Sequence, residues 1–143
     1  MTDEMLEKAQ NNAKQSARIK NVEFRKGDIE RGVPIVDSTA DVVISNCVIN
    51  LTYDKVAAFK EIYRILRSNG RMVISDLVTS KEVDLDSVNS DDWCSCIDGT
   101  LTKANYIESI KKTGFNNIET LQETPYIEKG DRNIASIIIK AVK

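Results

Sequence analysis

Two short β-branched runs separated by one amphipathic stretch constrain this fold most. Ala40-Asp41-Val42-Val43-Ile44-Ser45-Asn46 and Arg71-Met72-Val73-Ile74-Ser75-Asp76-Leu77-Val78 are mostly apolar without strict alternation. That pattern belongs to strands covered on both faces, as in a parallel sheet. Between them, Val56, Phe59, Ile62, Tyr63 and Leu66 recur at three- and four-residue spacing, predicting a helix over 54–67 that Ser68-Asn69-Gly70 stops. Strand, helix and strand in that order form a parallel crossover unit.

The remainder extends the unit in both directions. Thr2 is placed to cap a helix over 2–18, with Asp3 and Glu4 in its first turn and Met5, Leu6, Ala9, Ala13 and Ala17 on one face. Val22 to Gly27 alternates apolar and polar and predicts a strand ended by Gly27-Asp28. Residues 29–39, with Gly32 and Pro34, read as a loop. Residues 79–99 form a polar connection long enough to imply a function or some helix of its own. Its Asp84, Asp86, Asp91 and Asp92 read as a solvated face. Residues 102–113 predict a helix capped by Thr102 and ended by Gly114, with Tyr106, Ile107 and Ile110 inward. The runs 117–126 and 133–142 predict an antiparallel hairpin turning at Lys129-Gly130-Asp131. The expected architecture is a single α/β domain, a mainly parallel sheet closed by a C-terminal antiparallel hairpin.

Composition narrows the function. The 143 residues fit one domain, and 20 Lys and Arg against 22 Asp and Glu give a net charge of −2. That balance leaves no basic excess to neutralise a phosphate backbone, so nucleic acid is excluded as the main partner. No apolar run approaches the roughly 18 residues of a membrane span, and the first 20 residues carry no signal-peptide pattern, so the chain is expected to be soluble and cytoplasmic. It contains no histidine, which removes Ser-His and Cys-His catalysis and histidine metal sites together. Three cysteines, Cys47, Cys94 and Cys96, read as free thiols. Structural zinc wants four ligands, and Cys94-Ser95-Cys96 is spaced too tightly for the usual pair or for an unstrained disulfide. Trp93 either walls a small-ligand pocket or anchors its loop.

Position sharpens four candidates. Asp28 follows a predicted strand at the carboxyl edge where α/β proteins bind ligands, although a loop Asp also caps turns. Asn46 and Cys47 end the central strand on that edge. Cys96 lies on the loop after the next parallel strand, and neighbouring parallel strands end on the same side, so the two thiols can converge.

The series Gly27-Asp28-Ile29-Glu30, Asp41 to Asn46 and Gly70 to Asp76, followed by the hairpin, resembles the later part of a class I S-adenosylmethionine-dependent methyltransferase, a Rossmann-like fold. More narrowly, Ser45-Asn46-Cys47-Val48-Ile49-Asn50-Leu51 and Cys96-Ile97-Asp98-Gly99-Thr100-Leu101 resemble the arsenite methyltransferases, as does the opening Met1 to Leu6. The resemblance implies methyl transfer from S-adenosylmethionine to thiol-bound As(III). It implies that Asp28 accepts from the adenine amino group, that Ile29 offers its amide and that Asn46 stands on the cofactor side. Cys47 and Cys96 would hold arsenic, a soft centre that prefers thiolates, and Cys94 would replace a third family cysteine or do nothing. Such a transfer needs alignment, not a histidine base.

The family also carries a Gly-rich loop and an acidic residue after its second strand, and neither is found in this sequence. The chain is therefore expected to be a truncated domain with open sheet edges, covered by a second copy or by a separate N-terminal half. Two other readings stay open: an inactive remnant serving as a binding or assembly module, and a methyltransferase of another small molecule such as a quinone precursor.

Overall fold

The structure, a computed structural model, describes residues 2–15, 21–84, 88 and 90–143. Residues 16–18 of the expected first helix, Ala17 among them, and Asp86 lie outside the described residues.

Helix α1 spans Asp3–Gln15 and buries none of its residues. Thr2 Oγ1 accepts from the Met5 amide at 3.3 Å, as a cap should. Asp3 pairs with Lys26 at 2.7 Å. Strand β1 covers Ala40–Asn46, as its β-branched run predicts. A 3-10 turn at Ile49–Leu51 leads to α2, Lys55–Ile65. Asp54 caps α2 by accepting from the Ala57 amide at 2.9 Å.

Helix α2 ends three residues before Ser68-Asn69-Gly70 and passes directly into β2, Leu66–Thr79. The Ser-Asn-Gly bend lies within β2. Asn69 adopts a left-handed φ of 62°, and a Cβ on Gly70 would stand 2.8 Å from the Arg67 carbonyl oxygen. Short helix α3, Ser90–Cys94, lies in the polar connection. Helix α4, Lys103–Lys111, starts at Thr102, whose hydroxyl accepts from the Asn105 amide. Strands β3, Asn116–Lys129, and β4, Arg132–Val142, form the hairpin.

The sheet order is β1-β2-β4-β3, with β1 parallel to β2 and the other two pairings antiparallel. Helices α2 and α4 pack their apolar residues against β2 and β4. Phe59, Ile62, Met72, Ile74, Tyr106, Ile110, Ile137 and Ile139 form the centre of that core. Phe59 meets Tyr106 edge-on with ring centroids 5.5 Å apart.

Two expectations are corrected. Residues 22–27 are not a strand: they run without ladder partners, and the nearby bridge is an isolated one between Asp28 and Gly32. Alternation supplies a strand-like face, but a strand also needs a neighbour for its backbone groups. The parallel part of the described sheet is therefore the β1–β2 pair. Nor is β1 covered on both faces. It is an edge strand here, and Ile44 is 79% exposed.

Candidate active site

At the carboxyl end of β1 the chain makes a sharp turn. The Cys47 amide donates to Ser75 O at 2.9 Å, extending the ladder by one residue. Cys47 itself takes a left-handed φ of 52°. Cys96, on the loop after α3, does likewise at 64°. Such a conformation costs a non-glycine residue about 1–2 kcal/mol. Strain of this kind gathers at functional sites.

The two cysteines meet. Cys96 is buried, and its thiol donates to the Cys47 carbonyl oxygen at 3.3 Å. It packs in a small cluster with Leu77 and Ile134, flanked by Cys47 and Ile97. Burial pushes the Cys96 thiol up to about 11, and the neighbouring Cys47 and Asp76 push the same way. Cys94 is exposed at the end of α3. Among the described residues, no three His, Cys, Asp or Glu side chains converge as a metal site.

Beneath the thiols lies a buried polar group. Tyr106 donates its hydroxyl to Asp76 Oδ2 at 2.9 Å. Burial raises the Asp76 carboxyl to about 6, against the pull of the Tyr106 hydroxyl and the Lys55 ammonium. Desolvation lowers Lys55, whose Nζ donates to Thr52 O at 3.0 Å. Asn50 is fully buried and donates Nδ2 to Leu77 O at 2.8 Å. These contacts tie the 3-10 turn after Cys47 to β2.

Beside the thiols, a cleft of about 850 Å³ opens along β1. Its walls include Gly27, Asp28, Ile29, Val43, Asn46 and Ile49. Asp28 is exposed and caps its own turn, Oδ1 accepting from the Glu30 amide at 2.9 Å. That occupies one oxygen; Oδ2 lies 3.7 Å from Arg31. The loop carrying Asp28 and Ile29 is fastened to α2. Arg64 donates to Glu61, Asp37 and the carbonyls of Val33 and Ile35, and Glu61 accepts from the Val33 amide at 2.6 Å.

Asp28, Ile29 and Asn46 thus share the cleft, and Cys47 and Cys96 share the turn at its end. Trp93 is not among the residues of this cleft: it stacks on Tyr53 at 5.2 Å, with Lys55 Nζ 5.8 Å from its ring centroid. Neither the left-handed cysteines nor the Asp76–Tyr106 pair follows from sequence pattern. Asp76, an acid inside an apolar run, was the available signal for the pair.

This arrangement, a cleft and paired residues at the carboxyl ends of β1 and β2, is where open α/β sheets bind ligands. The chain belongs to the methyltransferase-domain family, which matches residues 1–126. Within that class it is similar to arsenite methyltransferases. It is 36% identical to that of Halobacterium salinarum over 99% of this chain and 37% of the relative. It is 38% identical to that of Rattus norvegicus over 66% of this chain and 27% of the relative. The chain thus spans about a third of these curated relatives' length.

The crystal structure of an arsenic(III) S-adenosylmethionine methyltransferase from Chlamydomonas reinhardtii superposes with a TM-score of 0.88 at 29% identity, over all of this chain and 53% of the other. The YcgJ protein of Bacillus subtilis shares the fold, with a TM-score of 0.82 at 16% identity over 99% of this chain and 79% of that one. No described helix is long and apolar enough to cross a membrane.

Proposed function

We propose that this chain supplies the acceptor side of an S-adenosylmethionine-dependent arsenite methyltransferase. The observation that carries the reading is the meeting of Cys47 and Cys96, two cysteines from separate loops, the Cys96 thiol donating to the Cys47 carbonyl oxygen at the end of β1. Cys47 and Cys96 hold As(III) as thiolates, and soft thiolate ligands suit that centre. The cost of ionising buried Cys96 is met on binding, because a sulfur–arsenic bond replaces an arsenic–oxygen bond of arsenite and the thiol proton leaves with the displaced hydroxyl as water.

The cleft beside the thiols fits the adenine end of the cofactor. Ile29, Val33 and Ile49 offer apolar walls, and the Asp28 carboxylate at the rim accepts from an amino group. Ile29 contributes its amide, and Asn46 stands between cleft and thiols. The methionine end finds no cradle of the usual kind, since no two of the six glycines stand in a Gly-x-Gly pattern. When bound, S-adenosylmethionine supplies an electrophilic methyl group. The role of the residues is to orient the arsenic lone pair toward that methyl, an effect of proximity.

Titration calorimetry of the reduced chain tests this, with S-adenosylmethionine and then arsenite injected into wild type and the Cys47→Ser, Cys96→Ser double variant. The expected result is arsenite binding that the double variant loses. Arsenite binding of equal strength in both proteins would sink the reading.

The exposed edge of β1 favours a second reading, an assembly module that pairs through that edge with a second copy or another chain. Gel filtration above 16.0 kDa with no S-adenosylmethionine binding would select it.

A further inference from the structure

The turn of the hairpin and the cysteine loop are joined by buried charge. Asp98 stands two residues after Cys96, and its side chain is 3% exposed. Arg132, the first residue of β4, is 13% exposed and donates Nη2 to Asp98 Oδ1 at 2.6 Å. Lys129, across the turn, pairs with Asp92 and lies 3.9 Å from the same Asp98 oxygen. Asp92 in turn organises the loop around Cys96, since its carbonyl accepts from the Ile97 amide at 2.9 Å and the Asp98 amide at 3.2 Å. Lys81 ties the turn itself to the end of β2 through Asp131 at 2.6 Å.

A buried ion pair is a poor device for stability alone, because desolvation offsets much of the attraction. Here one Arg132 nitrogen, Nη1, is buried with no partner among the described residues. What the arrangement does supply is a fixed direction, since a guanidinium bonds along its own plane. Cys96 sits between the two anchored acids, Asp92 and Asp98.

We propose that Asp98 and Arg132, backed by Asp92 and Lys129, are positioning residues that hold Cys96 against Cys47 and keep its thiol out of solvent. The consequence for chemistry rests on the reading of Cys96 as an arsenic ligand given above. Two thiolates held at one spacing bind as a chelate, and a loosened loop forfeits that preorganisation.

The test is alkylation by iodoacetamide at pH 8, read residue by residue by mass spectrometry, with exposed Cys94 as the internal control. In wild type Cys94 reacts readily and Cys96 slowly. In Arg132→Met, Cys96 is expected to react about tenfold faster or more, because local opening governs access to a buried group, while Cys94 is unchanged. Arg132→Lys, which keeps the charge but loses the planar guanidinium, is expected to restore only a minor part of the protection.

Asp98→Asn keeps the side-chain volume and carries the same readout should Arg132→Met fail to fold. A folded Arg132→Met or Asp98→Asn protein whose Cys96 reacts within twofold of wild type would overturn the proposal. Arsenite affinity in the same variants is expected to fall about tenfold. If Cys96→Ser binds arsenite as wild type does, the arsenic reading fails alone and the change in thiol protection still stands.

Discussion

Gly99→Ala would strike the point where the cysteine loop presses on the turn after Cys47. A Cβ there would fall 1.9 Å from the Asn50 carbonyl oxygen and 3.0 Å from the Asn50 carbonyl carbon. Ordinary contact begins at 3.4 Å, so the two backbones must separate by about 1.5 Å. Neither partner has slack. Asn50 is fully buried and holds Leu77 O at 2.8 Å, and Cys96 reaches Cys47 O from the other side. Overpacking costs about 1–3 kcal/mol, and loss of the Asn50 bond adds about 1–3 kcal/mol by leaving a buried carbonyl unpaired. Each kcal/mol moves the melting temperature of a domain this size by about 3–5 °C, so the summed cost of about 4 kcal/mol should lower Tm by about 15 °C. Circular dichroism melts read the shift, and Cys96 alkylation should quicken in the same protein. A Tm within about 2 °C of wild type, with Cys96 as protected as before, would refute the close approach on which the reasoning rests.

Asp76 should make stability fall as pH rises. Its carboxyl titrates near 3.8 when unfolded and about 6 when folded, so the folded state keeps the proton longer. Stability is full below about pH 4, declines through about pH 6, and loses at most about 3 kcal/mol in all. Asp76→Asn should flatten that slope in urea titrations at pH 4.5 and 8. Arg64→Ala should release the loop that carries Asp28 and Ile29 while sparing the sheet, because Arg64 ties Val33, Ile35 and Asp37 to α2. Limited proteolysis should then cut within residues 29–39 several-fold faster, whereas an unchanged cleavage pattern would place the fastening elsewhere.

Much of this architecture is written locally. β1 is found at 40–46 because Val42-Val43-Ile44 favours an extended backbone. Helix α4 starts after Thr102 because a hydroxyl there satisfies an otherwise orphaned amide. The neighbourhood of Cys47 and Cys96 follows from topology, since both lie past the carboxyl ends of parallel neighbours. What escaped reading depends on partners far along the chain. Residues 22–27 alternate like a strand but have no described neighbour to bond. The end of α2 at Ile65 is set by Leu66 joining the sheet opposite Ala40, and local stop signals are silent on that. Asp98 looks like any loop acid until the hairpin brings Arg132 within 2.6 Å.

The position of β2 between a parallel and an antiparallel partner bears on how the chain is made. Its pairing with β1 spans one short helix and can form while the polypeptide is still emerging. Its other side must wait for residues 134–142, which leave the ribosome dozens of residues later. During that interval Met72, Ile74 and Leu77 belong to a strand with an open flank. Non-local pairing of this kind is slow and exposed to misassembly. Slower growth at low temperature should therefore raise the yield of native chain.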